Sequence, residues 1–426
     1  MHKPTKLAYQ LFALLIGVLG QAPCRAEVDA DARQTVVSGF GTLGALYNSR
    51  DDAGFIRSIS QRETPGRQYS WRPDSLLGIQ LSHTVNPQLQ VIGQAVLRSE
   101  ARSGVDSAIS RAFVSYRPTD NLKLRLGRMA DATFLMSDYA EVGYAYPWVR
   151  PPAESYKMIA LTHYDGVDAT YSLPVGDAIW RIKGLAGSIK VAVAQPLGEP
   201  YILAADDLRG VALMHERGPL KVRLGHTALH LANEGIGQQL LAPFLTAFAA
   251  APMNPFRGEV QALSDSMRMC GTQVSFTSLG VAYDDGTWMA QAEISRLASQ
   301  TAVFPRGQQG YVSLGRHFGD FLPYVMVSGN RAPAAARPGG DWAQYPLPGA
   351  AQLQGATLAL LNQQRTAQTT TSLGVRWDFD SRAALKLQWD RIRIRDHGWG
   401  LWSVPAAYGG DAATAQIVTA TIDFVF

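Results

Sequence analysis

One group of charged side chains lies at the end of a predicted strand and in the segment after it. Arg125 and Arg128 end that strand, and the acids Asp131, Asp138 and Glu141 come directly after it. An aromatic and proline-rich run, residues 142–152, completes the segment, and its prolines restrict the backbone. We therefore expect a stiff loop that folds inward and carries its carboxylates with it.

Other residues that commonly perform catalysis or bind metals are scattered. On a strand, His226 and His230 lie on one face about 13 Å apart, too far to share a metal ion without another segment. The sequence contains no H-E-x-x-H, G-x-S-x-G or phosphate-loop motif. Residues 39–44 match the pattern G-x-G-x-x-G, but no helix is predicted after them, so a glycine-rich strand is the better interpretation. We expect no catalytic residue, cofactor or metal site, and no enzyme.

The carboxyl-terminal stretch alternates as a strand with two different faces. Its apolar file consists of Val418, Ala420, Ile422, Phe424 and Phe426, and its polar file of Thr419, Thr421 and Asp423. Such a strand, ending on an aromatic residue, is typical of a barrel whose polar file faces a lumen and whose apolar file faces lipid. Taken alone, the stretch is also compatible with a sandwich strand.

The same alternation recurs in pairs of segments joined by tight turns. One pair turns at Asn86-Pro87, and others turn at 118–121, 174–177, 217–219, 284–286, 319–320 and 380–381. With the first and last strands the count is sixteen. Long segments such as 48–74 and 231–269 connect the hairpins. This pattern predicts an all-β fold, a transmembrane antiparallel β-barrel of 16 strands with short periplasmic turns and long extracellular loops.

The amino-terminal end predicts export. Lys3 and Lys6 precede an apolar run, residues 7–19, and a small-residue cleavage site ends at Ala26. Residues 1–26 therefore have the form of a cleaved secretory signal peptide. We expect residues 27–426 to form a single barrel domain with an inserted third loop, residues 130–162.

The charge and cysteine content of the mature chain narrow the function classes further. Removing Lys3, Lys6 and Arg25 from the 39 basic residues leaves 36 against 35 acidic ones, so the charge does not indicate nucleic-acid binding. Only Cys270 follows the signal peptide, which leaves no intramolecular disulfide.

One predicted strand changes phase near its end. Leu385, Leu387 and Trp389 form an apolar file that Arg391, Arg393 and Arg395 continue. In one unbroken register these arginines would enter lipid or its edge, and each would destabilise the barrel by up to about 2–4 kcal/mol. A bulge near Asp390-Arg391 would restore the faces. Alternatively, the arginines stand above the membrane.

The signal peptide, the sixteen strand candidates, the long third loop and the terminal Phe426 together resemble the Gram-negative outer-membrane porins, over the whole mature chain. The resemblance implies a barrel in the cell outer membrane, usually a homotrimer, whose third loop bends into the lumen. It also implies a pore constriction of wall bases and loop acids, here Arg98, Arg111, Arg125, Arg128, Asp131, Asp138 and Glu141. The family's Pro-Glu-Phe-Gly loop motif is absent from this chain.

The implied function is a passive diffusion channel for small hydrophilic solutes and ions. Its surroundings would be outer-membrane lipid and lipopolysaccharide, and no nucleic acid is expected as a partner. A channel that prefers a carboxylate, phosphate or sugar is an alternative, and an outer-membrane barrel enzyme is a third interpretation. In a trimer, Leu43, Ala45 and Leu46 of the first strand would pack against a neighbouring barrel.

Overall fold

The computed structural model of the chain is a closed antiparallel barrel. It describes residues 34–61, 68–100, 105–130, 132–157, 163–194, 199–363, 365–404 and 410–426. Each barrel strand pairs with its neighbours in sequence, and the first strand pairs with the last, which closes the sheet. The predicted 16-stranded β-barrel is confirmed. The predicted signal peptide lies outside the described residues.

The barrel strands, in chain order, are β1 (Gln34–Asn48), β2 (Leu76–Asn86), β3 (Leu89–Arg98), β4 (Ile109–Thr119), β5 (Leu122–Met129), β6 (Tyr164–Val175), β7 (Ala178–Val193), β8 (Tyr201–Arg217), β9 (Leu220–Leu231), β10 (Gln273–Asp284), β11 (Trp288–Ser299), β12 (Gly307–Arg316), β13 (Phe321–Arg331), β14 (Thr366–Asp380), β15 (Ala383–Trp399) and β16 (Ala413–Val425). Short turns join the strands at one end, which we call the short-turn end. The longer connections lie at the opposite, long-loop end.

The described connections contain the helices α1 (Val105–Ala108), α2 (Ala153–Tyr156), α3 (Ile236–Ala250), α4 (Arg257–Met267) and α5 (Ala350–Gln363). Leu245 and Phe248 of α3 are buried in one apolar cluster with Trp342 and with residues of the barrel wall, so these loops pack against the wall as well as against each other. Within the described residues, no helix combines the length and apolar character needed to cross a bilayer.

The two faces of the barrel wall are inverted relative to those of a water-soluble domain. On β16, Thr419, Thr421 and Asp423 point inward and are almost fully buried. Val418 and Ile422 point outward and are 40% and 42% exposed. A barrel whose outer face is apolar requires a non-aqueous surrounding, and the polar inner face requires water or polar partners.

Glycines in β1 allow the barrel to close against bulky side chains. The Phe424 ring lies against Gly41 and the Phe426 ring against Gly39, on the outer face of the β1–β16 pair. A Cβ atom at Gly41 would lie 2.3 Å from Phe424 Cζ. Any larger residue there would displace the terminal aromatic rings, so β1 uses glycine where its neighbour supplies the bulk.

Of the two alternatives for the arginines that follow Asp390, the structure does not show the bulge near Asp390-Arg391. The β14–β15 register runs unbroken from Trp377↔Leu385 to Gln368↔Ile394, and it shifts only outside this range, at both ends. Arg391, Arg393 and Arg395 therefore share the outer face with Leu387. The reason lies on the inner face, where Ile392 and Ile394 are buried against loop residues at the long-loop end.

The expectation for the first strand is also corrected at one position. Leu43 and Ala45 are exposed on the outer face, as predicted. Leu46 is 5% exposed and packs inside the barrel with Phe55 and Trp402 of the loops. It is therefore not available to a neighbouring barrel.

The assignment of faces predicts the effect of an outward charge. Leu387 is 51% exposed within the apolar outer band, so Leu387→Arg should destabilise the folded barrel in lipid vesicles by roughly 2–4 kcal/mol. The matched control is Thr371→Arg on β14, an outward residue beside Arg391, which should cost about 0–1 kcal/mol. Equal costs in urea unfolding titrations would contradict the assigned boundary of the apolar band.

Candidate functional site

The connection between β5 and β6 crosses the interior of the barrel. Trp148 is fully buried, and its indole Nε1 donates a 2.9 Å hydrogen bond to Ser313 Oγ on β12. The next residue, Val149, donates its backbone N–H to Gln388 Oε1 on β15 at 3.2 Å. Strands β12 and β15 lie far along the sheet from β5, so these contacts join opposite parts of the wall. We call the described residues 132–157 the inner loop.

A buried lysine holds the middle of the inner loop. Lys386 Nζ donates to the carbonyl oxygens of Gly143 and Tyr146 at 2.7 Å and of Trp148 at 2.9 Å, and it lies 3.1 Å from Asp423 Oδ2. An irregular loop has carbonyl oxygens with no partner in regular secondary structure, and burying them unpaired is costly. An ammonium group has three donors, so one side chain satisfies three carbonyls and its charge is balanced by Asp423.

Arg150 makes the second anchor. Its guanidinium forms a bidentate pair with Asp74 at 2.8 and 2.7 Å, and it also lies 3.1 Å from Asp390 Oδ2 and 2.6 Å from Thr419 Oγ1. Burial acts to raise the pKa of Asp74, but the charge of Arg150 and its hydrogen bonds outweigh burial and hold that pKa below its ordinary value. Asp74 therefore stays ionised, and the group links the first loop, the inner loop and two strands.

Two glutamates, one on the inner loop and one on the barrel wall, complete the attachment of the loop. Glu154 of α2 accepts hydrogen bonds from Ser328 at 2.6 Å and from Gln368 and Thr370. Glu293 of β11 accepts the backbone N–H of Leu135 at 2.9 Å and the Tyr156 hydroxyl at 2.5 Å. Burial raises the pKa of Tyr156 well above its usual range, which keeps this hydroxyl protonated as a donor.

The structure brings some of the predicted constriction residues together. Arg98 forms an ion pair with Glu141 of the inner loop and with Glu100. Burial acts to raise the pKa of Glu141, but the Arg98 and Arg111 charges more than offset it and lower that pKa. Arg111 Nη2 donates to the backbone oxygen of Asp138 at 2.6 Å, while the Asp138 carboxylate pairs with Arg223 of β9 at 3.1 Å.

The other predicted residues lie elsewhere. Arg125 points inward but pairs with Asp168 on the neighbouring strand β6 at 2.6 Å, not with a loop acid. Arg128 pairs with Asp165 at 2.8 Å in the outward file of Leu126, because three residues along a strand reverse the face. The structure therefore separates Arg128 from the proposed constriction. Asp131 lies outside the described residues.

A cavity separates the inner loop from the wall formed by β2, β3 and β4. Its empty volume is about 1070 Å³, which includes space that is open to solvent. Its charged lining consists of the bases Arg57, Arg98, Arg111, Arg150 and Lys157 and the acids Glu100 and Glu141. Burial lowers the pKa of Lys157 well below its usual range. Bases still exceed acids in this lining without Lys157, although Arg150 is balanced by the aspartates that hold it.

Sequence reasoning missed the residues that position the loop. Arg150 was visible within the aromatic segment, and Lys386, Asp390 and Asp423 stand in polar strand files, but nothing in their spacing pairs them with each other. The one available signal is the position of such a residue. A charged side chain on the inward face of a strand that borders lipid is expected to have a buried partner. Among the described residues, no cluster of three histidine, cysteine or acidic side chains is placed to bind a metal ion.

A closed sixteen-stranded barrel with a loop across its interior defines the porin class of fold, and this chain has that fold. Its structure matches the "anion-selective porin from Comamonas acidovorans" with TM-score 0.52 and 12% identity, covering 93% of this chain and 100% of that one. It matches Salmonella typhi OmpF, in complex with daunomycin, with TM-score 0.52 and 13% identity, covering 94% and 100%. No protein-family model and no curated protein sequence matches the chain.

The Arg150 anchor predicts a large loss of stability when its charge is removed. Arg150→Gln leaves Asp74 and Asp390 buried without their counter-charge, which should destabilise the barrel by about 3–5 kcal/mol. Urea unfolding in lipid vesicles, followed by tryptophan fluorescence, measures this change.

The matched control is Arg128→Gln, which removes one arginine of a partly exposed pair and should cost less than about 1 kcal/mol. The pH dependence gives a second readout. Because the folded pKa of Asp74 lies below its ordinary 3.8, its contribution is complete above pH 3.8 and is lost as the pH falls through the folded pKa. Asp74→Asn should therefore flatten the acid limb of the stability profile, and an unchanged limb would contradict this role.

Proposed function

We propose that the protein is an outer-membrane porin, a passive diffusion channel for small hydrophilic solutes and ions that is narrowed by its inner loop. The observation that supports this most strongly is a cavity with several charged side chains in its lining, beside a loop inside a barrel whose outer face is apolar. A barrel of sixteen strands is wide enough for an aqueous bore, which smaller barrels fill with side chains.

The proposed location follows from the same features. The apolar outer face requires lipid, and residues 1–26 have the form of an export signal. Barrels of this kind have short turns on the periplasmic side, so the long-loop end would face the exterior. The inner loop then lies on the route between the two compartments.

The position of the inner loop supports an eyelet on one side of the barrel. Its anchors to Ser313, Lys386 and Glu293 draw it against β11 to β15. The remaining passage is bordered by Arg98 and Arg111 on the wall and Glu141 on the loop. Because Arg98 and Glu141 are in contact, their charges offset each other at the edge of this passage, and the remaining excess of bases favours small anions over cations.

The eyelet predicts opposite effects of removing bases and acids. Arg98→Gln with Arg111→Gln should shift the permeability ratio towards cations by about twofold to threefold per charge, and Glu141→Gln should shift it towards anions by a similar factor. Reversal potentials in planar bilayers under a salt gradient measure both.

The control is Arg128→Gln, which changes the same charge on the outward file and should leave the reversal potential unchanged. If the Arg98/Arg111 variant and the Glu141 variant both keep the wild-type ratio, the eyelet assignment is wrong. A protein that shows no conductance at all would instead contradict the channel function.

We further propose that the barrel is a homotrimer. Leu43 and Ala45 are exposed on the outer face of β1, beside the outward rings of Phe424 and Phe426. This small and aromatic surface supports close packing against another barrel. Light scattering in mild detergent should give the mass of three chains, and a monomer mass would contradict the proposal.

A further inference from the structure

Arg223, an inward residue of β9, is buried with part of its guanidinium unpaired. Its side chain is 5% exposed, and its Nη1 lies 3.1 Å from Asp138 Oδ2. Its Nε and Nη2 atoms are also buried, and they have no hydrogen-bond partner among the described residues. Buried donors without acceptors are costly, and more so when they belong to a charged group. The inner wall therefore carries a pair of strong donors that the described part of the chain does not satisfy.

The unpaired atoms of Arg223 form the edge of the guanidinium that holds carboxylates elsewhere in this protein. Arg125 holds Asp168 through Nε and Nη2 at 2.9 and 2.6 Å. Arg150 holds Asp74 through the same two atoms at 2.8 and 2.7 Å. The two parallel N–H groups on this edge match the two oxygens of a carboxylate. The edge of Arg223 therefore has the geometry of a carboxylate-binding site.

Further bases surround the carboxylate of Asp138, the inner-loop acid that contacts Arg223. Burial acts to raise the pKa of Asp138, but nearby positive charges outweigh burial and lower that pKa. The bases that supply these charges are Arg223, Lys183, Arg111 and Arg125. The acids paired with them are Asp138 and Asp168. Four bases against two acids leave an excess of two positive charges.

Asp138 is held in this basic cluster less firmly than the other acids of the inner wall. Its side chain is 50% exposed, whereas the side chain of Asp168 is fully buried. It meets the Arg223 guanidinium at one nitrogen, Nη1. Only one ion-pair contact is therefore broken when the Asp138 side chain turns away into the lumen.

We propose that Arg223 is the binding point for one carboxylate of a small dicarboxylate, and that Asp138 is the internal anion which this solute displaces. The first carboxylate pairs with Nε and Nη2 of Arg223, so that two contacts replace the one made by Asp138. This site lies on the wall formed by β5 to β9, apart from the contact between Arg98 and Glu141. The inference rests on the proposed channel function, because the solute reaches this wall through the lumen.

The position of Lys183 favours a dicarboxylate over a compact anion such as phosphate. Lys183 and Arg223 stand on β7 and β9, with β8 between them, so their backbones are about 10–12 Å apart. A ligand with a negative charge at each end can meet both side chains. Its two charges also equal the excess of two positive charges in the cluster.

The test measures the binding of succinate to the purified full-length barrel in detergent at low salt, by isothermal titration calorimetry. Succinamide is the uncharged probe of the same shape, and inorganic phosphate is the compact anion. The first variant is Arg223→Lys, which keeps the charge but removes the two-nitrogen edge. Its matched control is Arg181→Lys, the same exchange on the other side of Met214 in the sheet.

The second variant is Asp138→Asn, which leaves every base in place and removes the internal anion. Its matched control is Glu141→Gln, which removes another acid of the inner loop, the one held by Arg98. This pair separates the loss of a competing anion at Arg223 from the loss of one negative charge in the lumen.

We expect the wild type to bind succinate and not succinamide. Arg223→Lys should weaken succinate binding by about tenfold, and Asp138→Asn should strengthen it by about fivefold because the internal competitor is gone. Each control should stay within about twofold of the wild type.

Wild-type affinity in Arg223→Lys would overturn the proposal, and so would an equal loss in Arg181→Lys. If Arg223→Lys does not fold, Asp138→Asn decides, because an unchanged affinity there overturns the proposal as well. Phosphate binding as tight as succinate binding would overturn the choice of a dicarboxylate.

Conductance of the wild type in planar bilayers separates this inference from the proposed function. A wild type that conducts but does not bind succinate contradicts this inference alone. A wild type that binds succinate but does not conduct contradicts only the channel function.

Discussion

The structure depends on hydrogen bonds to the backbone of an irregular segment that is buried inside a barrel. Carbonyl oxygens of the inner loop have no strand to pair with, and leaving them unpaired away from water is expensive. Lys386 meets three of them with a single ammonium group, and Asp423 balances its charge. Arg150 joins the loops to the wall in the same way, because it pairs with both Asp74 and Asp390. Each of the two cations can be buried because an acid beside it balances its charge.

These anchors also decide where a passage can exist. They hold the inner loop against the far wall, and the space left over lies beside β2 to β4, where Arg98 and Arg111 project. Lys386 fixes the loop without bordering the cavity, whereas Arg150 and Glu141 do both. Glu141 pairs with Arg98 at the edge of the open space.

The outer surface follows a separate rule, set by its surroundings and not by internal pairing. On β15 the same strand carries Lys386 inward among carbonyl oxygens and Arg391 outward with no described partner. Both are basic residues on one strand, yet burial requires a counter-charge for the first, while exposure beyond the apolar band allows the second to stand without one.

The sequence by itself determined the barrel, because a period of two and the length of the turns are local properties that survive in any register. It also contained enough to separate Arg128 from Arg125, since an odd spacing on a strand reverses the face. It did not determine which charges meet. Arg125 pairs with Asp168, and Asp138 pairs with Arg223, across distances in sequence that no local pattern encodes. The continuous register through Asp390 was likewise decided by tertiary structure, because loop residues bury Ile392 and Ile394 on the inner face.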